Sequence, residues 1–262
     1  MSIPKLYQFS YSHECEKVRW LLDHKAVPHF RENLLPGPHV ARMLALTGQR
    51  AVPVLELEGT PVAGSTAIVR AVEEAGLGPS LVPTTLEDAE RAWSLVTYCD
   101  EHLGPALGVL TFSRLLAHPR YLSNLLSVGQ SGPVKRAYRL MFPGVQLGLR
   151  LLWGVGDARK DQVARKQVEE AMTHLGDELN PSGYLVGTDF SIADMTAAAL
   201  LSPLVPPPHS PYRLQRQLPA SMIALRDSLR HHPITEWAES IYARYRGVSM
   251  AENGELRGSS VI

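Results

Sequence analysis

The stretch from Ala51 to Ile68 (AVPVLELEGTPVAGSTAI) constrains the fold more than any other. It reads as a strand, a tight turn at Gly59, a second strand, and a helix opening on Gly64-Ser65. Pro53 has no N–H to give a ladder, so it belongs at the first position of its strand. The Val52-Pro53 bond is a candidate cis peptide, which would bend the chain and expose the main-chain groups of Val52. Free backbone N–H groups where the Ser65 helix begins attract a carboxylate. An extended edge beside an anion cradle is what holding a small acidic peptide requires.

Upstream, residues 5–9 read as a strand, 13–25 as a helix with Cys15, Val18, Leu21 and Leu22 on its apolar stripe, 29–34 as a strand, and 40–46 as a brief helix. The order to residue 76 is β-α-β-α-β-β-α. Gly76 to Pro83 is rich in Gly and Pro and marks a linker. Beyond it strand signals nearly vanish. Helical faces recur over 86–103 and 161–179, Ser191 and Asp194 have capping-box spacing, and further helices are expected near 215–230 and 234–246. Pro105, Pro119, Pro133 and Pro143 break 104–157 into short helical pieces, either a kinked helical pair or an insertion over a cleft. Pro203 to Pro211 reads as a stiff interhelical loop. The expected division is an α/β unit over 1–78, a linker over 79–85, an all-α bundle over 86–246 and a flexible tail over 247–262.

Composition narrows the function classes. The 262 residues hold 26 basic and 26 acidic side chains, a balance that gives no support for a nucleic-acid partner or an anionic membrane surface. Cys15 and Cys99 are the only cysteines, too few for a disulfide framework and compatible with a reducing compartment. The start of the chain lacks the regions of a signal peptide, and no apolar run approaches the roughly 20 residues of a membrane helix. A cytoplasmic, soluble protein is the expectation. His231 and His232 are adjacent rather than at i, i+4 spacing, and no metal motif or nucleotide loop is present, so no metal is expected.

Five pieces in order carry a family resemblance: Ser12-His13-Glu14-Cys15-Glu16-Lys17-Val18-Arg19-Trp20-Leu21-Leu22, Val52-Pro53-Val54-Leu55, Gly64-Ser65-Thr66-Ala67-Ile68, Tyr184-Leu185-Val186-Gly187 running into Phe190-Ser191-Ile192-Ala193-Asp194, and His232-Pro233-Ile234-Thr235-Glu236-Trp237. Together they resemble a cytosolic, serine-type glutathione transferase. The resemblance implies a thioredoxin-like domain that binds glutathione as co-substrate, a helical domain that supplies the pocket for a hydrophobic electrophile, and a homodimer.

On that resemblance Ser12 is the candidate that activates the thiol. A thiol with a pKa of about 8.5 is mostly protonated at neutral pH, so its thiolate needs a hydroxyl donor or a helix N-terminus. Ser12 also suits a helix cap, and the two roles are compatible. Tyr11 is the second catalytic candidate. Tyr7 is a rival that reads equally as a packed strand aromatic. Cys15 completes a Ser-x-x-Cys arrangement but falls on the apolar stripe, which favours a buried, inert thiol over a thiol oxidoreductase. For glutathione, the resemblance implies contacts from the backbone of Val52 beside Pro53, from Ser65 to the γ-glutamyl carboxylate with Gly64 and Thr66 in the same segment, and from Gln49 and Arg50 to the glycine carboxylate. Many relatives carry an acidic residue where this chain has Gly64, so one partner for the ligand's amine is missing. A non-catalytic scaffold of the same fold is the reading from a different class.

Overall fold

A computed structural model describes residues 2–214 and 217–252. The first seven elements are β1 (Lys5–Gln8), α1 (His13–His24), β2 (Phe30–Asn33), α2 (His39–Thr47), β3 (Val54–Leu57), β4 (Thr60–Ala63) and α3 (Ser65–Glu74), in the order read from the sequence. The sheet runs β2-β1-β3-β4, with β1 parallel to β2 and antiparallel to β3. β3 and β4 form a hairpin whose turn residues Glu58 and Gly59 both have positive φ, +50° and +81°, the backbone that matches strand twist. This is a thioredoxin-like α/β unit.

α1 is enclosed on every side, with Cys15 through Asp23 all buried. α3 covers one face and α9 (Ile192–Leu200), from the helical half, covers another. Its charged side chains therefore need partners, because removing one member of a buried pair costs about 3–5 kcal/mol. Lys17 meets Asp100 at 2.8 Å, Glu16 meets Arg19 at 2.8 Å and Arg246 at 2.7 Å, and Asp23 meets Arg31 at 2.8 Å and Arg246 at 2.9 Å. The segment after α3 closes over the end of α1. At Gly78 a Cβ would lie 2.4 Å from the Lys25 carbonyl oxygen, so only glycine fits (φ +67°).

The rest of the described chain is helical: α4 (Leu86–Tyr98), a π-helical turn (Cys99–Leu103), α5 (Gly104–Leu116), α6 (Pro119–Leu126), α7 (Gly132–Trp153), α8 (Ala158–Glu178), then α9, α10 (Pro211–Leu214), α11 (Ala220–Leu229) and α12 (Pro233–Tyr245). The helix expected over 86–103 stops at Tyr98. The wider turn that follows carries Asp100 to the buried Lys17 ammonium, a long-range contact invisible to periodicity. Residues 104–157 are neither broken pieces nor a single pair. Pro105, Pro119 and Pro133 sit in the first turns of α5, α6 and α7, where a missing N–H costs nothing. Pro143 alone lies inside a helix, the 22-residue α7.

The capping box at α9 forms as read: Asp194 accepts from the Ser191 N–H at 2.9 Å and the Leu185 N–H at 2.8 Å, and Ser191 Oγ accepts from Ala193. The tail expected to be flexible from 247 is instead paired as far as Glu252. Met250 N donates to Asp23 at 2.7 Å and Glu252 N donates to the His29 carbonyl at 2.9 Å, so unpaired groups at the edge of the sheet unit hold it. The rest of that tail, 253–262, and residues 215–216 of the helix expected near 215–230 lie outside the described residues.

Candidate functional site

A cavity of about 530 Å³ opens between the two halves of the chain. The turn after β1 contributes Phe9, Tyr11, Ser12, His13 and Glu14; the residues before β3 contribute Ala51 and Val52; α5 contributes an apolar wall that includes Val109 and Phe112; and Pro203 and Tyr212 close the far side. The Val52-Pro53 peptide is cis, as the sequence led one to expect. The Pro53 carbonyl accepts from Gly64 N at 3.0 Å, which ties the start of β3 to the start of α3.

Ser12 is the N-cap of α1. Its Oγ accepts from Cys15 N at 3.3 Å, and its hydroxyl also hydrogen-bonds the Cys15 thiol. The turn that holds it is fixed by a residue that sequence reading missed. Buried Arg19 donates to Gln8 Oε1 at 2.7 Å and to the Phe9 and Ser12 carbonyls at 3.4 Å each, while Glu16 balances its charge. A charged side chain inside an apolar helical stripe was the available signal.

Tyr11 is buried, stacked 5.5 Å from Phe9 and edge-on to Phe112 at 6.0 Å. Burial, reinforced by Tyr138 and Tyr212, holds its phenol well above its ordinary pKa, so it stays a proton donor. Tyr7 is elsewhere: it packs with Met43 and Val54 under α2, and its hydroxyl donates to Glu56 at 3.2 Å. Burial pushes the Cys15 thiol up, and that of Cys99 up to about 12, so neither presents a thiolate. His13, lowered chiefly by burial, enters the cavity as a neutral imidazole.

The start of α3 is held by side chains from elsewhere in the chain. Ser65 Oγ donates to Glu14 Oε2 at 2.5 Å, so a carboxylate of the protein itself already holds that hydroxyl. The Thr66 hydroxyl is committed inward, accepting from Lys17 Nζ at 2.7 Å and donating to Asp100. Gly64 has φ +97° and caps α3 without a side-chain bond, a backbone that a residue with a Cβ adopts only under strain. Gln49 and Arg50 lie exposed in the loop after α2, outside the cavity wall that their neighbours Ala51 and Val52 form. Among the described residues no cluster of side chains is arranged to hold a metal ion.

Residues 6–80 match the family model described as glutathione S-transferase, N-terminal domain. Over that segment the chain matches a glutathione S-transferase N-terminal domain by sequence, and throughout it has the glutathione transferase fold. The fold extends over nearly all of it. A glutathione S-transferase from Pseudomonas fluorescens is 18% identical, with a TM-score of 0.61 over 95% of this chain and 99% of that one. The glutathione S-transferase of Ceriporiopsis subvermispora, solved in complex with glutathione, is 16% identical with a TM-score of 0.62 over 94% and 99%. The β-etherase LigF from Sphingobium is 19% identical with a TM-score of 0.59 over 91% and 99%. No curated protein matches the sequence.

Proposed function

We propose that this chain is a glutathione transferase in which the Ser12 hydroxyl stabilises the glutathione thiolate for attack on an apolar electrophile. The observation that carries the reading is the Ser12 hydroxyl at the N-terminus of α1, lining the same cavity as Val52 and an apolar wall from α5. The tripeptide lies along the edge exposed at Val52, where backbone groups pair with its cysteinyl unit. Its sulfur faces the start of α1, and a hydrogen bond from Ser12 lowers the thiol's pKa toward neutrality. Tyr11, kept protonated, lies beside the sulfur and donates to charge that develops on the electrophile. Val109, Phe112 and Tyr212 select an apolar second substrate. The division into a glutathione-binding unit over 1–78, a linker over 79–85 and a substrate-binding bundle over 86–246 belongs to this reading.

Glu14 resolves the missing acidic residue. With Gly64 in the usual place of that carboxylate, Glu14 reaches the same helix start from α1 and supplies the negative charge for the γ-glutamyl ammonium. The ligand's carboxylate then takes the N–H groups at the α3 N-terminus, which carry no side-chain cap.

The test is conjugation of glutathione to a chromogenic aryl halide, together with calorimetric titration of glutathione. Saturable binding and turnover that Ser12→Ala reduces severely are expected. No heat at millimolar glutathione would leave a non-catalytic scaffold as the better account.

A further inference from the structure

α7 leaves one long face without a partner. Tyr138 and Phe142 are its buried side, with Val145 and Leu149 half-buried behind them. On the other side Leu140, Leu147 and Leu151 are 84%, 56% and 74% exposed, and their seven- and four-residue spacings align them along one line of the helix. Gly144 and Gly148 fall between them, and no atom beyond the neighbouring residues and backbone of α7 itself approaches within 4 Å of where their Cβ atoms would stand. Met141, 58% exposed, widens the stripe. A run of large apolar side chains open to water over a helix of about 33 Å is a surface built to be covered.

Charge says by what. The whole chain is neutral, yet between Glu101 and Asp157 it holds no acidic residue while Arg114, Arg120, Lys135, Arg136, Arg139 and Arg150 are basic. Arg114 is neutralised by Asp161 on α8 at 2.7 Å. Lys135, Arg136 and Arg150 form no ion pair among the described residues, and Arg139 reaches the amide oxygen of Asn124 at 3.1 Å. At 100° per residue, Arg136, Arg139 and Arg150 line one border of the leucine stripe.

We propose that α7 seats this protein on an anionic lipid surface. The helix lies in the plane of the interface, with Leu140, Leu147 and Leu151 at the acyl boundary and the arginines among phosphate headgroups. A second copy of the chain fits the face less well, because two α7 helices would oppose arginine to arginine with no acidic side chain on either to relieve them. Insertion across the bilayer is a separate matter: no helix of the described chain is long and apolar enough to cross a membrane.

The experiment is flotation of the full chain with vesicles of phosphatidylcholine alone and of phosphatidylcholine with phosphatidylglycerol, at low and at high salt. Partitioning at least about tenfold stronger on the anionic vesicles and weakened by salt is expected. Arg136→Glu/Arg150→Glu and Leu140→Glu/Leu151→Glu should each lower it at least about tenfold while the thermal melt stays unchanged, since all four side chains face water. Equal partitioning on both vesicles, or none on either, overturns the proposal. A concentration-dependent dimer in sedimentation that Leu140→Glu/Leu151→Glu dissociates also overturns it, and gives the face to a second copy.

Discussion

Ser65 Oγ and Glu14 Oε2 lie 2.5 Å apart, joining the first turn of α3 to the first turn of α1 across 51 residues of chain. The bond places a protein carboxylate at a helix N-terminus whose own cap, Gly64, has no side chain to offer. If Glu14 receives the ligand's ammonium, Glu14→Gln weakens glutathione binding about tenfold, the order of 1.4 kcal/mol for a charge-assisted hydrogen bond. Calorimetry decides, with a ligand that lacks the α-amino group as control. That ligand should bind both forms equally, and tighter glutathione binding by the variant would instead make Glu14 an obstacle.

Ser12→Ala separates the catalytic role from the cap. Loss of the donor should lower kcat/KM about 100-fold, near 3 kcal/mol, and move the pH–rate profile toward the free thiol's value of about 8.5. The cap contribution is smaller, about 1 kcal/mol in a denaturant titration. A variant that loses stability but keeps its rate assigns Ser12 to the cap alone and passes thiol activation to Tyr11.

Arg246 joins the last helical residues to α1 through both Glu16 and Asp23. Its removal leaves two buried carboxylates short of a partner, so Arg246→Ala should cost about 3–5 kcal/mol. The thermal midpoint should fall by roughly 10 °C for a chain of this size. A shift below about 2 °C would show that Arg19 and Arg31 alone neutralise those carboxylates.

Stability should depend on the ionisation of His29, which is fully buried, with Nδ1 2.8 Å from the Val27 carbonyl and Nε2 accepting from Arg31 at 2.9 Å. Burial first, then the Arg31 charge, lowers its pKa to about 4. The unfolded chain, near 6.5, therefore binds the extra proton throughout the window between these values, and stability falls as pH drops from about 6.5 to 4 with a slope of up to about 1.4 kcal/mol per pH unit. Denaturant titrations across that window should show a shallower slope for His29→Gln than for the parent chain. Identical slopes would exclude His29 as the source.

Glu16 titrates lower in the same experiment. Burial raises its carboxyl, but Arg246 and Arg19 outweigh that and leave it below its ordinary value. Its contribution is present above about 4.5 and is lost as pH falls through the lowered value. In Arg246→Ala this acid-side loss should move to higher pH, and an unmoved transition would rule out the pairing as its cause.

Much of the α/β unit is local in origin and so was readable in advance. Pro53 marked a strand start, Gly59 a hairpin, and Ser12 and Ser191 helix caps. The proline-rich middle misled because proline's meaning depends on its place in a helix: Pro105, Pro119 and Pro133 start helices instead of ending them.

Local sequence thus determined the order of elements, the bend before β3 and the position of Ser12, since each depends on backbone preferences within a few residues. Only the tertiary structure decided that Ser65 would be held by Glu14, Thr66 by Lys17 and Asp100, and Met250 and Glu252 by Asp23 and His29. Those choices arise from enclosing a charged helix in a low-dielectric core, where each buried ion must take its partner from whatever distant segment packing brings near.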